Sequence, residues 1–145
     1  MQTRTFEALV NACPEDVWSA LTDPQRSPHY FYGLAVHSDW QVGSHIVYSG
    51  PPPHQICGEV VLVDRPRLLM HTLADGRTML GDVDPVAWVT WTIDSADSGR
   101  SKVCVVVEDL ERVADVEFDE AWRHVLDQLA RYLDDARKPQ DTDPR

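Results

Sequence analysis

The chain opens on TRTFEALVN, where Phe6, Ala8 and Val10 alternate loosely with Thr5, Glu7 and Leu9. This period of two predicts a partly buried strand, closed by Asn11. Over NACPEDVWSALTDP the spacing turns helical. Val17, Trp18 and Leu21 make an apolar stripe, Pro14 suits a first helical position, and Glu15 and Asp16 suit the positive end of a helix dipole. A residue before proline is pushed away from helical angles, so Asp23 before Pro24 ends this helix. A short second helix or turn is expected over Gln25 to His29. From Gly33 onward the segments are strand-sized: LAVHSDW, HIVYSG, QICGEVVLVD, LLMHTLAD, VAWVTWTI and SKVCVVVEDL, separated by GS, PPP, RPR, ADG and ADSG. That is the spacing of an antiparallel meander. Its clearest hairpin alternates Val89, Trp91 and Ile93 with Thr90 and Thr92, then Val103, Val105 and Val107 in their turn.

Helical period returns in FDEAWRHVLDQLARYLDDAR. Phe118, Trp122, Val125, Leu126, Leu129 and Leu133 form a continuous apolar face, with Asp119, Glu120, Arg123, Asp127, Arg131 and Asp134 largely opposite. The helix is predicted over Val116 to Arg137. The order implies an α+β domain: a curved antiparallel sheet of six or seven strands wrapped around one long C-terminal helix, with two short helices after strand one. Residues 1–137 read as a single domain, and the polar tail KPQDTDPR, residues 138–145, has no hydrophobe to bury and is expected to be disordered.

Charge narrows the function. The formal net charge is −11, from 24 acidic against 13 basic residues. Such a chain repels phosphate backbones and anionic lipid, so nucleic acid is not expected as a partner. Apolar runs such as VVLV (Val60 to Val63) are strand-sized, far below the roughly 20 residues of a membrane span, so no membrane insertion is expected. Cys13, Cys57 and Cys104 contain no CxxC pair and no signal-type leader opens the chain, which makes a reducing cytoplasm the expected address.

Five pieces of sequence carry a resemblance. PEDVWSALTDP resembles the opening helix of the SRPBCC, or START-like, superfamily, and in particular its branch of heat-shock-protein ATPase-activator homologues, where W-x-A-L-T-D-P is habitual. SDWQVGSHIVYS, GEVVLVDRPRLLMHTL, VTWTIDSADSGRSKVCVVVEDL and AWRHVLDQLARYL resemble that branch's later strands, hairpins and closing helix, so the similarity runs from Thr5 to about Asp135. The resemblance implies the helix-grip fold. It also implies a hydrophobic or amphipathic small molecule held between sheet and long helix. Some members of the superfamily are cyclases (polyketide cyclase-like proteins) or dehydratases, some are lipid carriers and some bind chaperones, so the chemistry does not follow from the fold. One departure is concrete: where the branch often shows a tryptophan pair after T-D-P, this chain reads HYFYG.

In the helix-grip arrangement that aromatic run lies over the open end of the cavity. Tyr30, Phe31 and Tyr32 are therefore expected either to gate a pocket, with the two tyrosines at its rim, or to plug the end of the core. By the same resemblance and strand parity, Ile46, Tyr48, Leu69, His71, Leu73, Val89, Trp91, Ile93, Val103, Val105 and Val107 face the long helix, and Trp122, Val125 and Leu129 face back. Tyr48, His71 and Trp122 stand out because each brings a polar atom into an apolar layer, where it needs a partner. His71 is either a general acid or base or a core histidine bonded to Tyr48, the latter preferred. The ligand-binding candidates are thus Tyr30, Phe31, Tyr32, Tyr48, His71, Trp91 and Trp122.

No catalytic residue is assigned, since GxSxG and glycine-rich phosphate loops are absent, and a His124–Asp127 relay reads as an ordinary solvated pair. His45, His54 and Cys57 lack metal-ligand spacing, so no metal and no cofactor is expected. The expected function is binding of a hydrophobic small molecule or lipid, by a monomer or homodimer. The alternatives are a chaperone-type interaction module acting on a protein partner through its acidic surface, or an unidentified cyclase or hydrolase-type enzyme.

Overall fold

The structure is a computed structural model that describes residues 2–50, 55–75, 87–109 and 116–137. Strand β1 (Gln2–Val10) leads into helix α1 (Pro14–Thr22), a 3-10 turn at Ser27–His29, and strands β2 (Ala35–His37), β3 (His45–Ser49), β4 (Gln55–Asp64), β5 (Leu68–Asp75), β6 (Ala87–Ser95) and β7 (Ser101–Asp109). Helix α2 (Val116–Arg137) follows. The strands form one seven-stranded antiparallel sheet in the order β1-β7-β6-β5-β4-β3-β2, curled around α2 as the helix-grip reading requires.

Helix α1 starts where the sequence places it. The Cys13 carbonyl accepts from the amides of Asp16 and Val17, both at 3.0 Å, and extended Asp23 terminates the helix. Its inner stripe is Val17, Trp18, Ala20 and Leu21, all buried. The short helix or turn expected over Gln25 to His29 is a single 3-10 turn at Ser27–His29, with Pro28 within its first positions. Two long-range bonds pin this region. Asn11 Nδ2 donates to Asp134 Oδ1 at 2.7 Å, and Ser101 Oγ donates to the Ala12 carbonyl at 2.7 Å, so the β1–α1 link is tied to α2 and to β7.

Strand parity builds the core. Val107, Val89, His71 and Val60 stand abreast on the inner face, as do Val105, Trp91 and Leu69, and all are buried. Leu73, expected among them, is half-buried. Helix α2 answers with Trp122, Val125, Leu126, Leu129 and Leu133. Leu129 and Leu133 are fully enclosed, each worth about 1.5–3 kcal/mol of apolar burial. The Phe118 side chain and the tail from residue 138, both the subject of expectations above, lie outside the described residues.

A register shift interrupts β4. Val60 pairs with His71, but Leu62 pairs with Met70, so the strand carries one extra residue. Strict alternation would put Leu62 beside Val60 in the core; the bulge turns it outward to 49% exposure.

Candidate functional site

The segment after α1 is held by its own polar groups. Buried Ser27 donates its hydroxyl to the Leu34 carbonyl and accepts from the Val36 amide, each at 2.9 Å. Arg26 reaches Asp16 Oδ1 and Ser19 Oγ at 3.0 Å with one nitrogen and Tyr132 Oη at 2.8 Å with another, while His29 stacks on the Tyr132 ring at 4.9 Å. Burial works against the Arg26 charge, yet the bonds to Asp16 and Tyr132 outweigh it and raise its pKa. Sequence reasoning did not find this clamp. Its members are spread over α1, the 3-10 turn and α2, with no local spacing to reveal them.

The clamp presents the aromatic run to the core at graded depth. Tyr30 is 3% exposed, and its hydroxyl donates to the Ala20 carbonyl at 2.8 Å. It sits inside the core instead of at the expected rim, because the 3-10 turn directs it back under α1. Burial, with Tyr48 nearby, pushes its phenol well above the usual value. Phe31, also buried, stacks on Tyr48 with ring centroids 4.5 Å apart and meets Trp122 edge-on at 6.2 Å. Tyr32 alone of the three faces solvent, at 53% exposure. Its hydroxyl donates to the Ala121 carbonyl at 3.1 Å and its ring stacks on His124 at 5.2 Å, so it lies across α2 like a latch. Tyr32 takes a left-handed φ of 51° and Gly33 one of 73°, a conformation that strains a tyrosine and suits a glycine.

The inner candidates continue the array. Trp122 packs against Trp91 at 5.9 Å, and Trp91 Nε1–H donates to His71 Nε2 at 3.2 Å. His71 Nδ1 lies 2.8 Å from the Thr72 carbonyl, which makes Nδ1 the protonated nitrogen. Gly58 permits this bond: a Cβ there would collide with the Thr72 carbonyl oxygen. The partner of His71 is therefore Trp91, not Tyr48, because the register sets His71 beside Val89 and diagonally next to Trp91. Burial lowers the His71 pKa to about 4, against which the Thr72 bond works. A neutral imidazole with both nitrogens engaged is a poor proton carrier near neutral pH. Burial likewise pushes the Tyr48 phenol upward.

All seven candidate residues thus form one contiguous set of ring contacts, running from exposed Tyr32 to buried His71. Asp127 is taken up by Arg131 at 3.0 Å and His124 by Tyr32, which removes the relay. His54, discussed with His45, lies outside the described residues. A surface groove of about 410 Å³ runs where β1 meets α2, lined by Phe6, Ala8, Leu126 and Ala130 with Arg123 over the Phe6 ring. A second, of about 510 Å³, lies beside Trp40, His37 and His45.

Solved structures share this architecture. Protein MLL2253 from Mesorhizobium loti superposes with a TM-score of 0.74 at 21% identity, covering 92% of this chain and 98% of that one. The Aha1 dimer from Colwellia psychrerythraea gives 0.76 at 14%, over 94% and 99%. PFC0360w, an HSP90 activator from Plasmodium falciparum, gives 0.60 at 18%, over 75% and 74%. No curated protein matches with significant sequence similarity. The sheet curled on a long helix, the opening W-x-A-L-T-D-P helix and a family model matched over residues 11–134 agree: the chain belongs to the activator of Hsp90 ATPase homolog 1-like family.

Proposed function

We propose that the protein binds a hydrophobic small molecule or lipid between its sheet and α2, in the cytoplasm and without metal or cofactor. The observation that carries this is the graded aromatic array. Tyr32 stands at the entrance, Phe31 closes on Tyr48 behind it, and Trp122, Trp91 and His71 line the depth with neutral polar tips. Such a layer offers apolar area plus a few oriented donors, which is what an uncharged or amphipathic ligand needs. Admission of the ligand requires Phe31 to leave its stack. Tyr32, with its left-handed φ, is where the backbone is already strained, and the next residue, Gly33, has open space on its side-chain side.

The test is native mass spectrometry of the purified protein for a co-purified lipid or metabolite, followed by titration with the neutral probe N-phenyl-1-naphthylamine. Saturable probe binding that Tyr32→Ala and Trp122→Phe weaken, and Arg131→Ala leaves alone, supports the reading. Probe binding indifferent to all three sinks it.

A second reading follows from family membership. Here the protein acts on an Hsp90-type ATPase, as the name of the Plasmodium falciparum relative indicates for that protein. Addition of this protein to a purified Hsp90 should then raise its ATPase rate. An unchanged rate, with a ligand found by mass spectrometry, decides for the pocket.

A further inference from the structure

The outer face of the sheet departs from what a solvated face requires. Antiparallel sheets with one open side usually alternate apolar inside with polar outside. Here the strand registers align an uncharged row across five strands: Thr5, Val106, Thr90, Met70 and Leu62. The adjoining outward rows add Cys104, Thr92 and Leu68 on one side and Trp88 and Thr72 on the other. These positions are half-buried or exposed, whereas their inner-face neighbours are buried. The β4 bulge is part of the surface, since it is what moves Leu62 out of the core and into this row. A bulge that re-aims an apolar side chain into water is a feature with a use.

The charges around the belt indicate what covers it. Lys102 pairs with Glu7 at 3.5 Å and Arg67 with Asp64 at 2.7 Å, which neutralises one margin. Glu108 beside Trp88, Glu59 beside Thr72 and Asp94 across from Lys102 form no salt bridge among the described residues, which leaves three unpaired carboxylates at the rim. On a chain of net charge −11, nucleic acid, an anionic membrane and a second copy are all repelled from this rim.

We infer that the outer face of β4–β7 is a docking surface for a protein partner that presents an apolar strip flanked by lysine or arginine. The apolar strip covers the Val106–Met70–Leu62 row, and its cations meet Glu108, Glu59 and Asp94. The surface lies on the opposite side of the sheet from the aromatic array, so it stands or falls independently of the pocket.

The probe is a synthetic peptide of alternating lysine and leucine, with a glutamate–leucine peptide of equal length as control. Both are titrated into the isotope-labelled full chain and followed by backbone amide shifts. The expected result is saturable binding of the cationic peptide only, weakened by salt, with shifts concentrated at Leu68, Met70, Thr90, Thr92, Cys104 and Val106. Glu59→Gln with Glu108→Gln should weaken it about fivefold, and Met70→Lys about tenfold or more, with melting temperatures recorded to show that each variant is folded. Equal binding of the anionic peptide, shifts centred on α2, or no saturable binding overturns the proposal. So does a dimer in sedimentation that Leu62→Asp converts to monomer, since the face would then belong to a second copy.

Discussion

Trp91 and His71 share one hydrogen bond at the floor of the aromatic layer, with the indole N–H donating across 3.2 Å to the imidazole Nε2. The bond exists only while His71 is neutral, because a protonated Nε2 would turn its own hydrogen toward the indole donor.

A pH dependence follows from that relationship. The folded pKa of His71 lies at about 4, below the ordinary 6.5, so the unfolded chain binds a proton between these values that the folded chain refuses. Its contribution is fully present above about pH 6.5 and is lost as pH falls toward 4, a difference of roughly 3 kcal/mol. Urea midpoints at pH 7 and pH 4.5 should drop further for the natural protein than for His71→Phe. Equal drops would mean that His71 is solvated in the folded state.

The tyrosines should separate. Tyr30→Phe removes the bond to the Ala20 carbonyl and should lose about 1 kcal/mol, and Tyr30→Ala about 3–5 kcal/mol through the cavity it leaves. Tyr32→Ala should change stability little and weaken probe binding. Denaturation and titration of the same preparations check this. A stable Tyr30→Ala would place that ring outside the core.

Trp18 lies on the buried stripe of α1 at 4% exposure. Trp18→Ala should therefore lower stability by about 3–5 kcal/mol in a denaturant comparison, and a loss below about 1 kcal/mol would contradict the packing of α1 under the sheet.

Gly58 is fixed by its neighbour across the sheet. Gly58→Ala forces a methyl group into the Thr72 carbonyl, which is backbone and cannot swing away. A loss of about 1–3 kcal/mol is expected, together with altered tryptophan emission as Thr72, His71 and Trp91 shift in turn. Unchanged emission would show that the three do not move together.

Much of this was legible in the sequence because it is periodic. The alternation in Val89–Ile93 and Val103–Val107 and the three-four spacing from Trp122 to Leu133 fix the sheet, the long helix and the faces that meet. The seven candidate residues also lie in one connected set, with Tyr32 at the surface and the other six buried, where parity orders those on strands and the family likeness suggests the rest. What escaped depends on single atoms or on single register steps. The bulge at Val60–Leu62 leaves no trace in an apolar run such as VVLV. The partner of His71 depends on a diagonal neighbour across β5 and β6, and the depth of Tyr30 on where one 3-10 turn ends.

Ser27 has a consequence for how the molecule behaves in a crowded solution. Its hydroxyl occupies the Leu34 carbonyl and the Val36 amide, the groups on the side of β2 turned away from β3. In effect a single oxygen stands where a further strand would pair. One margin of the sheet is thereby closed to extension by another chain, a safeguard against edge-to-edge aggregation that a three-residue strand could not supply by its length alone.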